Sequence, residues 1–466
     1  MTMAAAYGAV DSTSAPGAEP SGDEATRPQR AAPTAALVVV GGLAMLAGIG
    51  AAMRRDPRER RAASMTAARA SSAVAHGGDA PYARTHALSG EAFFDAFTFF
   101  NSSDPSHGTV ECVSDASLSR RAPRRARAPL TARSARSFSL SDRYVDRPTA
   151  LEYGLISTNA TTGEVRFGAD SSEDRGWVTV WRDGADYGYW PGGRKSVRLE
   201  SRASFEGGLF VLSLAHVPTG CGTWLGYWLK GGDPWPNHGE VDILENIDEN
   251  TDTQTVLHTN NECSMKSQNA SATMTGTWHG GPHGAAMNCS NSARKQWRGE
   301  GCGVHGGNNT MGAPFNAMGG GVYALEWDAS SDGHFAAWYW PHGGEPDELR
   351  SRASESDGSA AAAATRALDV DAAAVDTAEW GKPYAYFQLG DATCPTTHFA
   401  NMSISFTLTF CGDWSTYDKA WGCADNVAQN GWPETCAEFV RTYPQEFTEA
   451  YWAIKYLDIY ERGGAK

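Results

Sequence analysis

His238-Gly-Glu-Val-Asp-Ile-Leu-Glu-Asn246 sets three carboxylates, Glu240, Asp242 and Glu245, inside a short apolar run. The β-branched and aliphatic Val241, Ile243 and Leu244 predict a buried strand. In a strand, residues two apart share a face, so Glu240 and Asp242 point the same way and Glu245 points to the opposite face. A β-bulge at Ile243-Leu244 adds one residue and turns Glu245 back to the side of the other two. A helix does not bring them together, because five residues at 100° each leave the two glutamates roughly 140° apart. Three acids crowded on a half-buried face repel one another, which marks the stretch as functional rather than structural.

The chemistry that fits is the cleavage of a glycosidic bond, which needs two carboxyl groups flanking one bond. Along a strand the Cα atoms of Glu240 and Glu245 are on the order of 13–16 Å apart, a gap that two inward-leaning side chains with a sugar between them can close. The reading assigns Glu240 as nucleophile and Glu245 as general acid/base. Asp242 lies between them as an electrostatic helper that keeps the acid protonated near neutrality. Calcium loops use irregular backbone with interleaved Asn, Asp and Gly, not a Val-Ile-Leu strand, so no metal and no other cofactor is expected. Aromatic residues gather upstream. Trp224, Trp228 and Trp235 lead into the motif, and tryptophan planes pack on the C–H faces of sugar rings. Trp228 and Trp235 are therefore candidate substrate contacts. His258, on the next expected strand, is a candidate to reach the acids by hydrogen bonding.

Composition narrows the setting. The chain has 466 residues, a net charge of −15, 51 glycines and 16 tryptophans. The acidic balance opposes nucleic-acid binding. No dinucleotide-binding glycine pattern or phosphate-binding loop occurs. Of nine cysteines, eight lie between Cys221 and Cys436 and none has the spacing of a zinc site. Disulfides are the better reading, with connectivity left open. Asn101, Asn159, Asn269, Asn288, Asn308 and Asn401 each begin Asn-x-Ser/Thr, in line with an oxidising compartment.

Residues 1–34 read as a disordered tail. Ala35–Met53 is uncharged for 19 residues, roughly 28 Å as a helix, and is expected to be one transmembrane signal anchor. Residues 54–80 read as a stalk. The arginines after the anchor favour a cytoplasmic side, whereas the cysteines and sequons place the following domain outside or in the lumen. The latter are spread over the whole domain and outweigh the former, so the protein is expected to be membrane-anchored, or secreted if processed. Residues 81–466 form the catalytic domain. Low-complexity insertions interrupt it at 111–142, with seven arginines between 120 and 136, and at 352–376, with five consecutive alanines. Ser196–Glu200, Leu209–Ala215, Ser403–Phe410 and Tyr451–Tyr460 are expected strands. Gly321–Trp327 and His334–Trp340 are expected to form a hairpin, and Thr435–Arg441 and Gln445–Ala450 short helices. Short strands at this spacing imply an all-β sandwich.

In this order, Asp104-Pro-Ser-His-Gly108, Gly193-Arg-Lys-Ser-Val-Arg198, Cys221-Gly-Thr-Trp224, Gly239–Glu245, Leu257-His-Thr259, Gly301-Cys-Gly-Val304, Gly321–Trp327, Trp380-Gly381, Phe410-Cys-Gly-Asp-Trp414 and Glu449-Ala-Tyr-Trp452 resemble glycoside hydrolase family 16. The resemblance is to its laminarinase-type branch, the fungal-like endo-1,3(4)-β-glucanases. Leu225-Gly226 stands where Pro-Ala is more usual after Trp224. The resemblance implies a concanavalin-like β-jelly roll of two antiparallel sheets, a glucan lying in the concave cleft, and retention of anomeric configuration. It places Glu240, Asp242 and Glu245 on the catalytic acids, Trp228, Trp235 and Trp414 on sugar-stacking positions, and His258 on the cleft histidine. The expected partner is β-glucan, bound by a monomer. Two alternatives stay open: transglycosylation of cell-wall glucan by the same acids, and a non-catalytic β-glucan-binding protein.

Overall fold

Met402–Phe410 shows how the sequence builds the core. Met402, Ile404, Phe406, Leu408 and Phe410 are fully buried and alternate with Ser403, Ser405, Thr407 and Thr409, which face the other way. The computed structural model describes residues 81–110, 144–172, 178–182, 185–189, 193–350, 375–415, 423 and 435–462. In chain order its first strands are β1 (Tyr82–Leu88), β2 (Phe97–Phe99), β3 (Ile156–Thr158), β4 (Val165–Gly168), β5 (Val178–Arg182), β6 (Ala185–Tyr189) and β7 (Leu199–Phe205). Then come β8 (Gly208–His216), β9 (Thr223–Lys230), β10 (Glu240–Ile247), β11 (Asp252–His258), β12 (Thr277–Trp278), β13 (Gly280–Gly281) and β14 (Gly284–Ala285). The last are β15 (Cys302–Asn308), β16 (Gly321–Asp328), β17 (His334–Pro341), β18 (Ala385–Gln388), β19 (Met402–Phe410) and β20 (Tyr451–Arg462).

Two eight-stranded sheets result. One runs β12-β15-β11-β10-β9-β19-β7-β2 and carries the acid motif on β10. The other runs β18-β17-β16-β8-β20-β4-β3, with β1 also pairing with β20. All their pairings are antiparallel. The sheets meet through aromatic rings. Phe406 lies edge-on to Trp452 at 5.6 Å and to Phe167 at 5.6 Å, and stacks on Tyr227 at 4.8 Å. Rings offset or edge-on in this way gain attraction beyond the area they bury. The sandwich expected from the sequence is present, and its first sheet offers the face on which the acids sit.

The hairpin, the strand at Leu209–Ala215 and the late strands appear within a residue or two of expectation. Ser196–Glu200 is displaced. Its strand begins at Leu199, because Ser196 donates its hydroxyl to Leu408 O at 2.6 Å and the Arg198 guanidinium turns to Glu200. Thr435 caps a helix at Cys436–Thr442, and the second expected helix is a 3₁₀ turn at Pro444–Phe447. All eight cysteines from Cys221 to Cys436 are paired: Cys221–Cys423, Cys263–Cys394, Cys289–Cys302 and Cys411–Cys436. Four disulfides suit an oxidising, secretory environment. The tail, anchor, stalk, the 111–142 insertion and Cys112 lie outside the described residues, as does most of the second insertion. That insertion ends earlier than expected. Val375 exchanges backbone hydrogen bonds with Tyr82 at 2.9 Å each, and Asp376 caps a 3₁₀ turn at Thr377–Glu379. Among the described residues, no helix is long and apolar enough to cross a membrane.

The bulge on β10 is part of the fold. Against β9, Asp242 pairs with Trp228 and Leu244 with Tyr227, so Ile243 is the extra residue. Against β11, Asp242 pairs with Val256 and Glu245 with Gln254, three steps against two. A bulge leaves a ladder carbonyl unpaired, and a buried carbonyl needs a donor. Ile243 O receives the Thr255 hydroxyl at 3.0 Å and the Tyr384 hydroxyl at 3.2 Å, and these two hydroxyls are themselves 2.7 Å apart. Removing both donors, in Thr255→Val/Tyr384→Phe, is expected to cost about 1–3 kcal/mol in equilibrium urea denaturation. Tyr384→Phe alone should cost less, because Thr255 still serves the carbonyl. A double variant no less stable than the single would show that the two hydroxyls do not hold the bulge.

Candidate active site

The bulge decides where the acids point. Glu240 stands opposite Lys230 and His258, Asp242 opposite Trp228 and Val256, and Glu245 opposite Gly226 and Gln254. Residues paired across a ladder share a face, so all three carboxylates look out of the same side of β10. Val241, Ile243 and Leu244 are fully buried against the other sheet. Gly239 sets the entry to the strand. It has φ +73°, and a Cβ there would lie 2.4 Å from the Phe399 ring.

Each glutamate is held by an indole. Trp235 donates Nε1–H to Glu240 Oε2 at 2.9 Å, and Trp224 donates Nε1–H to Glu245 Oε1 at 2.9 Å. Trp235 is the exposed member, presented by a loop in which both Asp233–Pro234 and Trp235–Pro236 are cis. Trp224, Gly226 and Trp228 lie on one face of β9, since alternate residues do. Gly226, opposite Glu245, leaves room for the neighbouring ring: a Cβ there would come within 3.1 Å of Trp228. Trp228 is half-buried, with the Arg198 guanidinium 5.1 Å from its ring centre. Trp414 lies edge-on to Trp224 at 5.7 Å, and so belongs to the Glu245 end.

His258 organises the Glu240 end. Its Nε2 is 3.2 Å from Asp242 Oδ2, and its Nδ1 is 2.8 Å from Asn291 Oδ1. With an acceptor at each nitrogen, the imidazole keeps both protons. Burial opposes that charge, but Asp242 and then Glu240 outweigh it and raise the His258 pKa to about 10. Burial first, and then the Asp242 charge, push both glutamates upward, Glu240 to about 8 and Glu245 well above the usual carboxylate range. Their surroundings differ in kind. Glu240 is drawn back toward the ionised form by His258, the Trp235 N–H and Arg198. Glu245 has the Trp224 N–H and His258 on that side, but the Glu240 charge adds to the push upward. When this pair sheds its first proton, Glu240 therefore gives it up and Glu245 keeps the other. The ligand atoms of Glu240, Asp242 and His258 lie within 4.8 Å of one another, close enough to hold a small cation. A cation there would have to displace the protons that the acids keep on His258.

Every residue singled out in the sequence thus falls on or beside one face, with Trp414 reaching it through Trp224. Three contributors are additional. Trp224 stands out in the sequence as an aromatic leading into the motif but is not among the candidate substrate contacts, and it lies four residues before Trp228 and hence on its face. Arg198 and Asn291 carry no local signal, since they arrive from a loop and from a segment 33 residues past His258.

Residues 143–460 match the family profile described as the XgeA-like catalytic GH16 domain. A protein of Schizosaccharomyces pombe described as a probable glycosidase is 33% identical over 81% of this chain and 70% of its own length. A probable endo-1,3(4)-β-glucanase of Aspergillus niger is 29% identical over 81% of this chain but only 39% of its own length. Among solved structures, an elongating GH family 16 β-1,3-glucosyltransferase is 30% identical, with a TM-score of 0.57 over 82% of this chain and all of that one. The GH16 laminarinase 16A of Phanerochaete chrysosporium, with 6-O-glucosyl-laminaritriose in donor and acceptor sites, is 28% identical with the same TM-score and coverage. With its acid-bearing sheet and the match over residues 143–460, the chain belongs to glycoside hydrolase family 16.

Proposed function

We propose that the protein is an endo-acting, retaining glycoside hydrolase that cleaves β-1,3 or mixed β-1,3/1,4 glucan by double displacement. The observation that carries this is the bulged strand, which sets two indole-held glutamates on one face with Asp242 between them and His258 opposite Glu240. The ionised Glu240 attacks the anomeric carbon while Glu245 gives its proton to the leaving oxygen. Glu245 then takes a proton from the incoming water, which attacks the glycosyl–Glu240 ester and releases the sugar with its configuration kept. Asp242 supports both steps. It holds His258 charged beside Glu240 and keeps the Glu245 proton in place. Trp228, Trp235 and Trp414 supply flat surfaces for glucose rings. The relatives support the substrate: one is named for β-1,3(4)-glucan and one was solved with a laminarin-type oligosaccharide.

A second reading is transglycosylation, favoured by the glucosyltransferase among the similar structures. Its first half-reaction is the same, and a sugar hydroxyl replaces water in the second. A non-catalytic glucan binder is the third. Its discriminating property is binding without any cleavage.

Glu245→Gln is expected to lower kcat on laminarin by roughly 10²–10⁴-fold, and Glu240→Gln to abolish formation of new reducing ends. Undiminished hydrolysis by Glu240→Gln would remove it as nucleophile. Wild-type protein that binds laminarin yet never cleaves it would favour the binder, and longer products from laminari-oligosaccharides would favour transfer.

The pH profile tests the role of Asp242. Its negative charge raises the pKa of both glutamates. Without that charge Glu245 releases its proton at lower pH, so Asp242→Asn should move the alkaline limb of kcat/KM downward. An unmoved limb would contradict the assignment.

Stability carries a matching signature. The folded pKa of Glu240, about 8, exceeds its ordinary value of 4.5. The folded state therefore holds a proton that the unfolded chain releases. The stability from this group is fully present below about pH 4.5 and is lost as pH rises through about 8. Glu240→Gln should thus melt above the wild type at alkaline pH and level with it in acid. A gain of equal size at both ends would point to a cause other than this ionisation.

A further inference from the structure

The loop between the bonded Cys289 and Cys302 is chemically unlike the rest of the chain. The protein carries a net charge of −15, yet Arg294, Lys295 and Arg298 fall together here, and Glu300 is the loop's one acid. All three cations are exposed, and Trp297 among them is 38% exposed. No ion pair to Arg294, Lys295 or Arg298 occurs among the described residues. Glu300 is engaged locally, accepting from Trp297 N at 2.7 Å.

The loop is also firmly held. Beyond the disulfide, the Gln296 amide donates to Asn288 O at 2.8 Å and Gly301 O at 2.6 Å and accepts from Asn288 N at 2.9 Å. Its two ends adjoin the active site. Asn291 meets His258 Nδ1, and Gly301 passes so near that a Cβ there would lie 2.8 Å from that nitrogen. A merely solvated face needs neither an exposed tryptophan nor this anchoring. Guanidinium groups match carboxylate and sulfate oxygens in paired hydrogen bonds, and an indole beside them offers a surface for the sugar ring.

We propose that the Cys289–Cys302 loop is a subsite for anionic glycan chains, holding a uronic carboxylate or a sulfate ester with Arg294, Lys295 and Arg298 while Trp297 packs on the sugar. This rests on the glucan-hydrolase reading and narrows its substrate to β-glucans that bear, or are neighboured by, anionic groups. The sign of the effect is diagnostic. An acidic protein with a group of acids at its active site repels an anionic polymer unless local cations reverse the field.

The test compares wild type with Arg294→Gln/Lys295→Gln/Arg298→Gln on laminarin, carboxymethylated laminarin and sulfated laminarin, at low and high salt. Migration through native gels containing each polymer is measured alongside. Wild type should show a lower KM on an anionic polymer than on laminarin at low salt, with the advantage shrinking at high salt. The triple variant should lose about tenfold in kcat/KM on that polymer and stay within about twofold of wild type on laminarin. The favoured polymer identifies carboxylate or sulfate as the group held. Wild type that prefers laminarin, or a triple variant that loses equally on all three, overturns the proposal. If wild type cleaves none of the polymers, the hydrolase reading fails by itself. Gel retardation by the anionic polymer, abolished in the triple variant, would then still sustain the subsite, and its absence would end it.

Discussion

Ile243 has no counterpart across either neighbouring strand, and the chemistry of the site depends on that one surplus residue. Without it, Glu245 would enter the packed interior between the sheets, where an isolated charge is prohibitively costly. With it, the strand keeps Val241, Ile243 and Leu244 buried and still turns three acids outward. Such a bulge has to be stabilised, because it strands a carbonyl. Thr255 and Tyr384 supply the donors, and Tyr384 comes from the segment just after the second insertion. A remote stretch of chain therefore helps to aim the acids.

Facing one way, the three carboxylates create the electrostatic problem that the rest of the site resolves. Burial and mutual repulsion favour protonation of both glutamates. A reaction that needs one carboxylate and one carboxylic acid requires this symmetry to be broken. His258 breaks it, because its charge is sustained by Asp242 and by Asn291 and stands opposite Glu240. Arg198 adds to the same bias. The residue that raises Glu245, the proposed acid, thus also charges the histidine beside Glu240, the proposed nucleophile, so Asp242 cannot be exchanged for a neutral group of the same shape without disturbing both.

Much of this was legible in the sequence because it is local. The bulge follows from the spacing of three acids in an apolar run. The β16–β17 hairpin and β19 follow from alternation, and Trp228 and Trp235 from their proximity to the motif, whereas Trp414 came only with the family resemblance. What was not legible depends on tertiary placement. The pairing of eight cysteines has many solutions until the chain is folded. Arg198 sits in a run whose alternation suggested a strand, but its guanidinium lies over the Phe100 and Trp228 rings, at 4.3 and 5.1 Å, and the strand starts one residue later. Asn291 reaches His258 because its segment returns to the residue after β11, with Thr259 N donating to Cys289 O at 2.9 Å and Asn291 N to Thr259 O at 3.0 Å. Val375 reads as low-complexity chain, yet it becomes ordered by pairing with Tyr82.

The division between strand and rim also bears on hydrolysis and transfer. A laminarinase and a glucosyltransferase resemble this chain to the same degree, with equal TM-scores and nearly equal identity. In the proposed mechanism the glycosyl–enzyme ester is common to both outcomes, since it needs only the acids on β10. What differs is the group that next meets the anomeric carbon, and this depends on how long an acceptor sugar stays beside it relative to water. On the proposed reading, residence is a property of the rim: of Trp235 in its proline-flanked loop, of Trp414 beyond Trp224, and of the stapled loop that carries Asn291. A substitution on β10 should therefore slow both reactions together, whereas a change at the rim should alter their ratio. That ratio, rather than total activity, is the quantity in which the rim residues of this chain should be read.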